Sequence, residues 1–341
     1  MSREHIKELD LFRGIGAILV MLYHYTTRYE ISFGHIGNYE IYVPWGDTAV
    51  SLFFMLSGFL IFITLREEDT ALEFLHKRVI RLYPTYWAAI VLTTIFNIFL
   101  LPEKVRPFST ILINFTMVQR FFGIENVDTV YWTLYYELLF YIIIAIAISF
   151  GKRKNIKGIS PIVWYILMGF VILFSKIRLN HLDDKGIDWM SKLIMPRYIH
   201  MFIVGIMLYY LYKNKKNFFA HGVILLCIYN HYINHDLEYT RFFILYILLF
   251  YLVVYGVRIS TPLGRPIAFI AKISYPLYLT HQFIGCGIIR CMEAIGMTHE
   301  IFLIVPVAIS ILLAYLLHHF VEEPSARYFK RKRKMTVEDG C

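Results

Sequence analysis

Long apolar runs alternate with short polar connections along the whole chain. Bounded by charged and turn residues, the runs lie near 11–28, 46–65, 84–101, 131–150, 161–178, 195–212, 218–234, 241–257, 273–292 and 300–320. Each is close to the roughly 20 residues that an α-helix needs to cross a hydrocarbon core. A helix pairs its own backbone groups in that medium, so it is the element such a run adopts there. The pattern predicts an all-α integral membrane protein, a bundle of about ten transmembrane helices. The longest polar connections, 29–45, 66–83 and 102–130, are too short for a separate soluble domain. Residues 1–325 are expected to form the transmembrane domain and 326–341 a basic tail.

Composition agrees with this. Hydrophobic residues make up 58% of the chain and charged ones 17%, against about 45–50% and about 25% in soluble domains. The net charge of +9 would suit nucleic acid if it formed one face. Instead it falls in short runs between spans: Lys152, Arg153, Lys154 and Lys157; Lys213, Lys215 and Lys216; and the run from Lys330 to Lys334. That is the pattern of cytoplasmic loops against an anionic leaflet, and no nucleic-acid partner is expected. With the N-terminus inside, 23 of the 34 Lys and Arg residues fall on the cytoplasmic side, so both termini are expected there. Cys227, Cys286, Cys291 and Cys341 make no CxxC motif, which implies neither a disulfide framework nor a zinc site. The first run carries Arg13 and His24 and no small-residue cleavage site, so it reads as a span and not as a removable signal.

Ionisable groups inside spans are costly, and each is a candidate for function. Arg13 and His24 are eleven positions apart, about three helical turns, and so share one face. Glu137 lies about 9 Å into its span, and His24 about 10 Å from the outer edge of its own. A histidine and a carboxylate at that common depth would suit acid–base work, the carboxylate orienting the imidazole. Arg78 and Arg81, three apart before Pro84, suit a grip on phosphates. Each group also has a bland reading: Arg13, Arg78 and Arg81 as positive-inside anchors, Glu137 as a structural partner of an arginine, and His24 and His281 as packed core histidines. Ser57 and Gly58 are small enough for close helix approach. Glu322 and Glu323 are expected to cap a helix or pair with arginines.

These residues sit in blocks that resemble acyltransferase family 3, the integral-membrane O-acyltransferases. The blocks are ELDLFRGIGAILVMLYHY with Arg13 and His24, DTAVSLFFMLSGFLI, FLHKRVIRLYPTYW with the R-x-x-R pair, YWTLYYELLFY with Trp132, Tyr136 and Glu137, ISYPLYLTHQ ending near His281, and VEEPSAR. All run in the family's order over about 320 residues, while 151–270 adds only spans. Ser51 departs from the aspartate common before Leu-Phe-Phe.

The resemblance implies a plasma-membrane enzyme that takes an acyl group, most commonly acetyl, from cytoplasmic acetyl-CoA or another acyl-CoA and delivers it to a hydroxyl of a cell-surface or lipid-linked carbohydrate. It implies His24 and Glu137 as catalytic, Arg13, Arg78 and Arg81 as CoA-binding, and Trp132, Tyr136 and His281 as lining the acceptor site, with no metal. His24 acts either as a base or as a covalent acyl carrier. A glycan or lipid transporter, and an acyltransferase for a small molecule, are the alternatives that the residues leave open. The oligomeric state is open as well.

Overall fold

The computed structural model describes residues 6–37, 39–66, 68–150, 156–258 and 264–329. The basic run 152–154 and the tail from 330 onward lie outside the described residues. The described chain is helical, without strands: α1 (Lys7–Tyr25), α2 (Thr27–Phe33), α3 (Ala49–Thr64), α4 (Ala71–Leu100), α5 (Phe108–Asn114), α6 (Trp132–Phe150), α7 (Pro161–Asn180), α8 (Lys185–Ile194), α9 (Ile199–Lys213), α10 (Phe218–Asn234), α11 (Leu237–Val254), α12 (Gly264–Lys272), α13 (Ser274–Ala294) and α14 (Ile304–Leu317).

Seven stretches among the described residues are long and apolar enough to cross a membrane: Gly46–Thr64, Ala71–Leu100, Thr129–Phe150, Pro161–Asn180, Lys185–Lys213, Leu237–Val254 and Glu300–Phe329. The other three expected spans are also helical, as α1, α10 and α13. They differ in being shorter or more polar. At 17 residues α10 is only about 25 Å long. α1 carries Lys7, Glu8, Asp10 and Arg13, and α13 carries His281, Gln282, Arg290 and Glu293.

α4 departs most from its expected bounds. It starts at Ala71 and not near 84, and it has 30 residues with Pro84 inside. The cause is a capping box. The Glu73 side chain accepts the Thr70 N–H at 2.9 Å, and Thr70 Oγ1 accepts the Glu73 N–H at 3.2 Å. Two N–H groups that the first turn cannot pair internally are thereby satisfied. Arg78 and Arg81, expected in the connection 66–83, thus stand on a helix, where a spacing of three puts them on one side.

The chain forms two compact units. The first comprises the start of the chain to Gly16, Thr48–Phe74 and Tyr136–Gly264. Its closest helix packing is α3 against α9. A Cβ on Gly58 would lie 2.1 Å from the Phe202 carbonyl oxygen, and one on Gly205 would lie 2.0 Å from that of Met55. The two backbones touch because neither glycine has a side chain. α7 turns an exposed stripe outward through Ile162, Ile166, Phe170 and Leu173. Spaced a turn apart and uncovered, such a stripe fits lipid and not water.

The second unit comprises Ala17–Asp47, Leu75–Tyr135 and Arg265 onward. α13 packs along α14. The connection after α2 is clamped by His35, whose Nδ1 lies 2.8 Å from the Glu293 carboxylate, and Tyr29 donates its hydroxyl to the same carboxylate at 2.9 Å. Glu323 pairs with Arg327 at 2.7 Å, as expected of the acidic pair that follows α14.

Replacing Gly205 by Val should force α3 and α9 apart and destabilise the first unit by at least the ~1–3 kcal/mol of ordinary overpacking. A drop in the thermal unfolding midpoint of the detergent-purified protein, larger than for a Val substitution at lipid-facing Gly169, checks this; nothing lies within 4 Å of a Cβ at Gly169.

Candidate active site

In the second unit His24 closes the last turn of α1, and α13 sets His281 against it. The two rings lie edge to face, with centroids 5.0 Å apart. His281 Nδ1 is 3.0 Å from the carbonyl oxygens of both Leu277 and Tyr278. Carbonyls only accept, so Nδ1 carries the proton, and the neutral ring has its lone pair on Nε2. Nε2 is buried and has no hydrogen-bond partner among the described residues, and the same holds for His24 Nδ1. His24 is otherwise part-exposed. One face of the pair is therefore dry, and the other is reachable.

Several ties hold the pair in place. The Tyr25 hydroxyl donates to the His281 carbonyl at 2.8 Å and bonds Ser310 Oγ at 2.6 Å, joining α1, α13 and α14. A Cβ at Gly285 would meet that hydroxyl at 2.1 Å, so the glycine makes room for it. The fully buried Asp128 accepts the N–H groups of Val130 at 3.2 Å and Phe283 at 3.0 Å. Thr129 donates to Gln282 at 2.6 Å, and Tyr278 donates to the Val130 carbonyl at 3.0 Å. The stretch that leads to Trp132 is thus stitched to both sides of His281. Trp132 itself is half-buried there. Burial pushes the Asp128 carboxyl up to about 7, although its backbone N–H partners pull the other way.

Arg78 and Arg81 belong to the same unit. Arg78 is half-buried and Arg81 exposed, on the N-terminal extension of α4 that the sequence had read as loop.

The remaining expected residues belong to the first unit. Arg13 is half-buried and lies 4.0 Å from Asp10, one turn back. Glu137 accepts a hydrogen bond from Ser57 Oγ at 3.1 Å and another from the Tyr141 hydroxyl. The carboxylate therefore links α3 to α6. Tyr136 is buried against Tyr198, ring centroids 4.4 Å apart.

The first unit also holds a buried polar chain that the sequence reading passed over. Ser175 donates to Asn230, whose amide nitrogen lies 3.0 Å from His200 Nδ1, and His200 Nε2 lies 2.9 Å from His231 Nδ1. Arg178 donates to Asn234 at its edge, at 3.2 Å. The available signal was two histidines and two asparagines inside apolar runs, in the stretch that matched no motif.

Comparison with known proteins follows the same lines. A family model described as an acyltransferase domain matches residues 6–319. The peptidoglycan O-acetyltransferase OatA of Listeria monocytogenes is 25% identical over 186 residues, which cover 51% of this chain and 25% of that protein. The chain thus spans about a quarter of that relative's length. No solved structure matches.

The Asp128 shift gives stability a definite slope with pH. Its folded value, about 7, is raised above the ordinary 3.8. Below pH 4 the group is neutral in both states, and its contribution is intact. Between pH 4 and 7 the unfolded chain releases the proton that the folded one keeps, so stability falls as pH rises. Unfolding midpoints measured across that window should decline, and Asp128→Asn should flatten the decline.

Proposed function

The chain belongs to the acyltransferase-domain family, and on that premise we propose that it is a plasma-membrane O-acyltransferase carrying acetyl, or another acyl group, from cytoplasmic acyl-CoA to a hydroxyl of a carbohydrate. The observation that carries this reading is the imidazole pair of His24 and His281, with its buried, unpaired nitrogens. The relative named for peptidoglycan O-acetylation supports a cell-envelope polysaccharide as the acceptor class.

In the proposed reaction His24 Nδ1–H turns to His281 Nε2, which can only accept. That leaves His24 Nε2 unprotonated on the accessible side. It removes the acceptor hydroxyl's proton as the oxygen attacks the thioester carbonyl. The C–S bond breaks, and the imidazolium returns the proton to the leaving CoA thiolate. In the covalent variant His24 attacks first and passes the acyl group on, giving ping-pong kinetics. Arg78 and Arg81 hold the CoA phosphates, and Trp132 contacts the sugar; the assignments of Arg13 to the phosphates and of Tyr136 to the sugar rest on the sequence alone. The assignment of Glu137 to setting the charge of His24 rests on the sequence alone. The finer topology, ten spans with both termini cytoplasmic, belongs to the same reading. It takes α1, α10 and α13 as spans shielded by the bundle.

Purified protein given acetyl-CoA and membrane glycan extract should release free thiol. His24→Ala should lower that release by at least about a thousandfold, the scale for loss of a catalytic base with other contributions intact. The variant should keep its unfolding midpoint within a few degrees. Full activity in a folded His24→Ala protein would remove the role assigned to His24, and no thiol release by the folded, unchanged protein would leave transport without chemistry as the better account.

Arg78→Ala and Arg81→Ala should each raise KM for acyl-CoA about tenfold or more while kcat changes little, the signature of lost ground-state binding. Unchanged KM in both variants removes their assigned role.

A further inference from the structure

The first unit contains a cavity of about 380 Å³ apart from the candidate site residues described above. Its volume falls in the roughly 300–1,000 Å³ range of small-molecule sites. Three stretches far apart in sequence build it: the start of α1, the turn after α9, and the end of α11 with the residues that follow. Lys213, Lys215 and Arg258 stand around it, with Tyr212, over a floor that includes Ile6, Val253 and Val254.

The electrostatics are lopsided. Glu8 is the one carboxylate among the described lining residues. It is 5% exposed and lies 3.5 Å from Arg258, which is 82% exposed. One of the three cations is thereby offset, and two positive charges remain. Lys213 and Lys215 sit over the rings of Tyr212 and Tyr255, at 5.6 Å and 5.8 Å from the centroids, and Tyr255 donates to the Lys215 carbonyl at 3.2 Å. The aromatic rings steer both ammonium groups and leave their hydrogens available to a ligand. The charge count also assigns all three stretches to the cytoplasmic side, where phosphate-bearing ligands are plentiful. Two ammonium groups and a guanidinium above apolar walls match a phosphate ester joined to a less polar body.

We propose that this cavity is a binding site for a phosphate-bearing ligand, built by Lys213, Lys215 and Arg258. The chemistry is shared by two sources: a soluble phosphate ester and the headgroup of an anionic phospholipid. The inference does not depend on the acyl-transfer reading.

The experiment uses the full-length protein in phosphatidylcholine nanodiscs. One arm titrates 3′,5′-ADP, which has no thioester, by calorimetry. The other replaces part of the lipid with phosphatidylglycerol and measures retained lipid by native mass spectrometry. The Lys213→Gln/Lys215→Gln double variant spares the Glu8–Arg258 pair, so folding should persist. A Lys176→Gln/Lys185→Gln variant matches its net charge elsewhere on the same unit. In at least one arm the double variant should bind roughly ten- to thirtyfold more weakly than the unchanged protein, the scale of two lost cation–phosphate contacts. The control variant should not. The responding arm identifies the source. Equal binding by all three proteins in both arms overturns the proposal, and so does an equal loss in the control. His24→Ala, run alongside, should keep the binding signal whether or not it transfers acyl groups. Failure here and failure of the catalytic reading are therefore separable.

Discussion

Buried away from water, a polar atom without a partner costs several kcal/mol, and the polar side chains of this protein are arranged around that cost. Asp128 shows how. A fully buried carboxylate would be untenable alone, yet it accepts two backbone N–H groups, one beside it and one on α13, 155 residues along the chain. Tyr25, Ser310, Thr129 and Gln282 extend the same logic. Each bond satisfies a buried group and also fixes a helix. The polar positions are therefore what specifies the bundle, because apolar contacts between helices discriminate little when the solvent is itself apolar.

Against that background the exceptions carry information. His24 Nδ1 and His281 Nε2 are buried and unpaired on facing rings. The fold fixes the tautomer of His281 through two carbonyls and leaves the other nitrogen open. In the proposed reaction that open lone pair accepts the His24 Nδ1–H, so the fixed ring of His281 orients His24. Glu137 is the opposite case. Its carboxylate is held by Ser57 and Tyr141, which gives it a structural task in the first unit whatever else it does.

Some of this was legible in the chain itself. The apolar runs located the helices, since a bilayer sets both their length and their polarity. Ser57 and Gly58 marked the close approach of α3, whereas Arg78 and Arg81 were read in a connection and prove to stand on α4. The capping box at Thr70 and Glu73 was present to be read, but it was masked by Pro84, which suggested a start thirteen residues later than the true one. The histidine–asparagine chain through His200, Asn230 and His231 was hidden because no motif surrounds it.

What the sequence determined was the solvent of the protein, the helices it folds into and the family to which it belongs. These follow from hydropathy, charge and short motifs, all local along the chain. Only the tertiary structure decided that His281 faces His24, that Asp128 braces α13, and that three distant stretches of chain bring Lys213, Lys215 and Arg258 around one cavity. Those pairings join positions up to 257 apart, and no local signal encodes which buried donor meets which acceptor. That choice is made by the packed bundle, where every alternative pairing leaves a polar group in hydrocarbon.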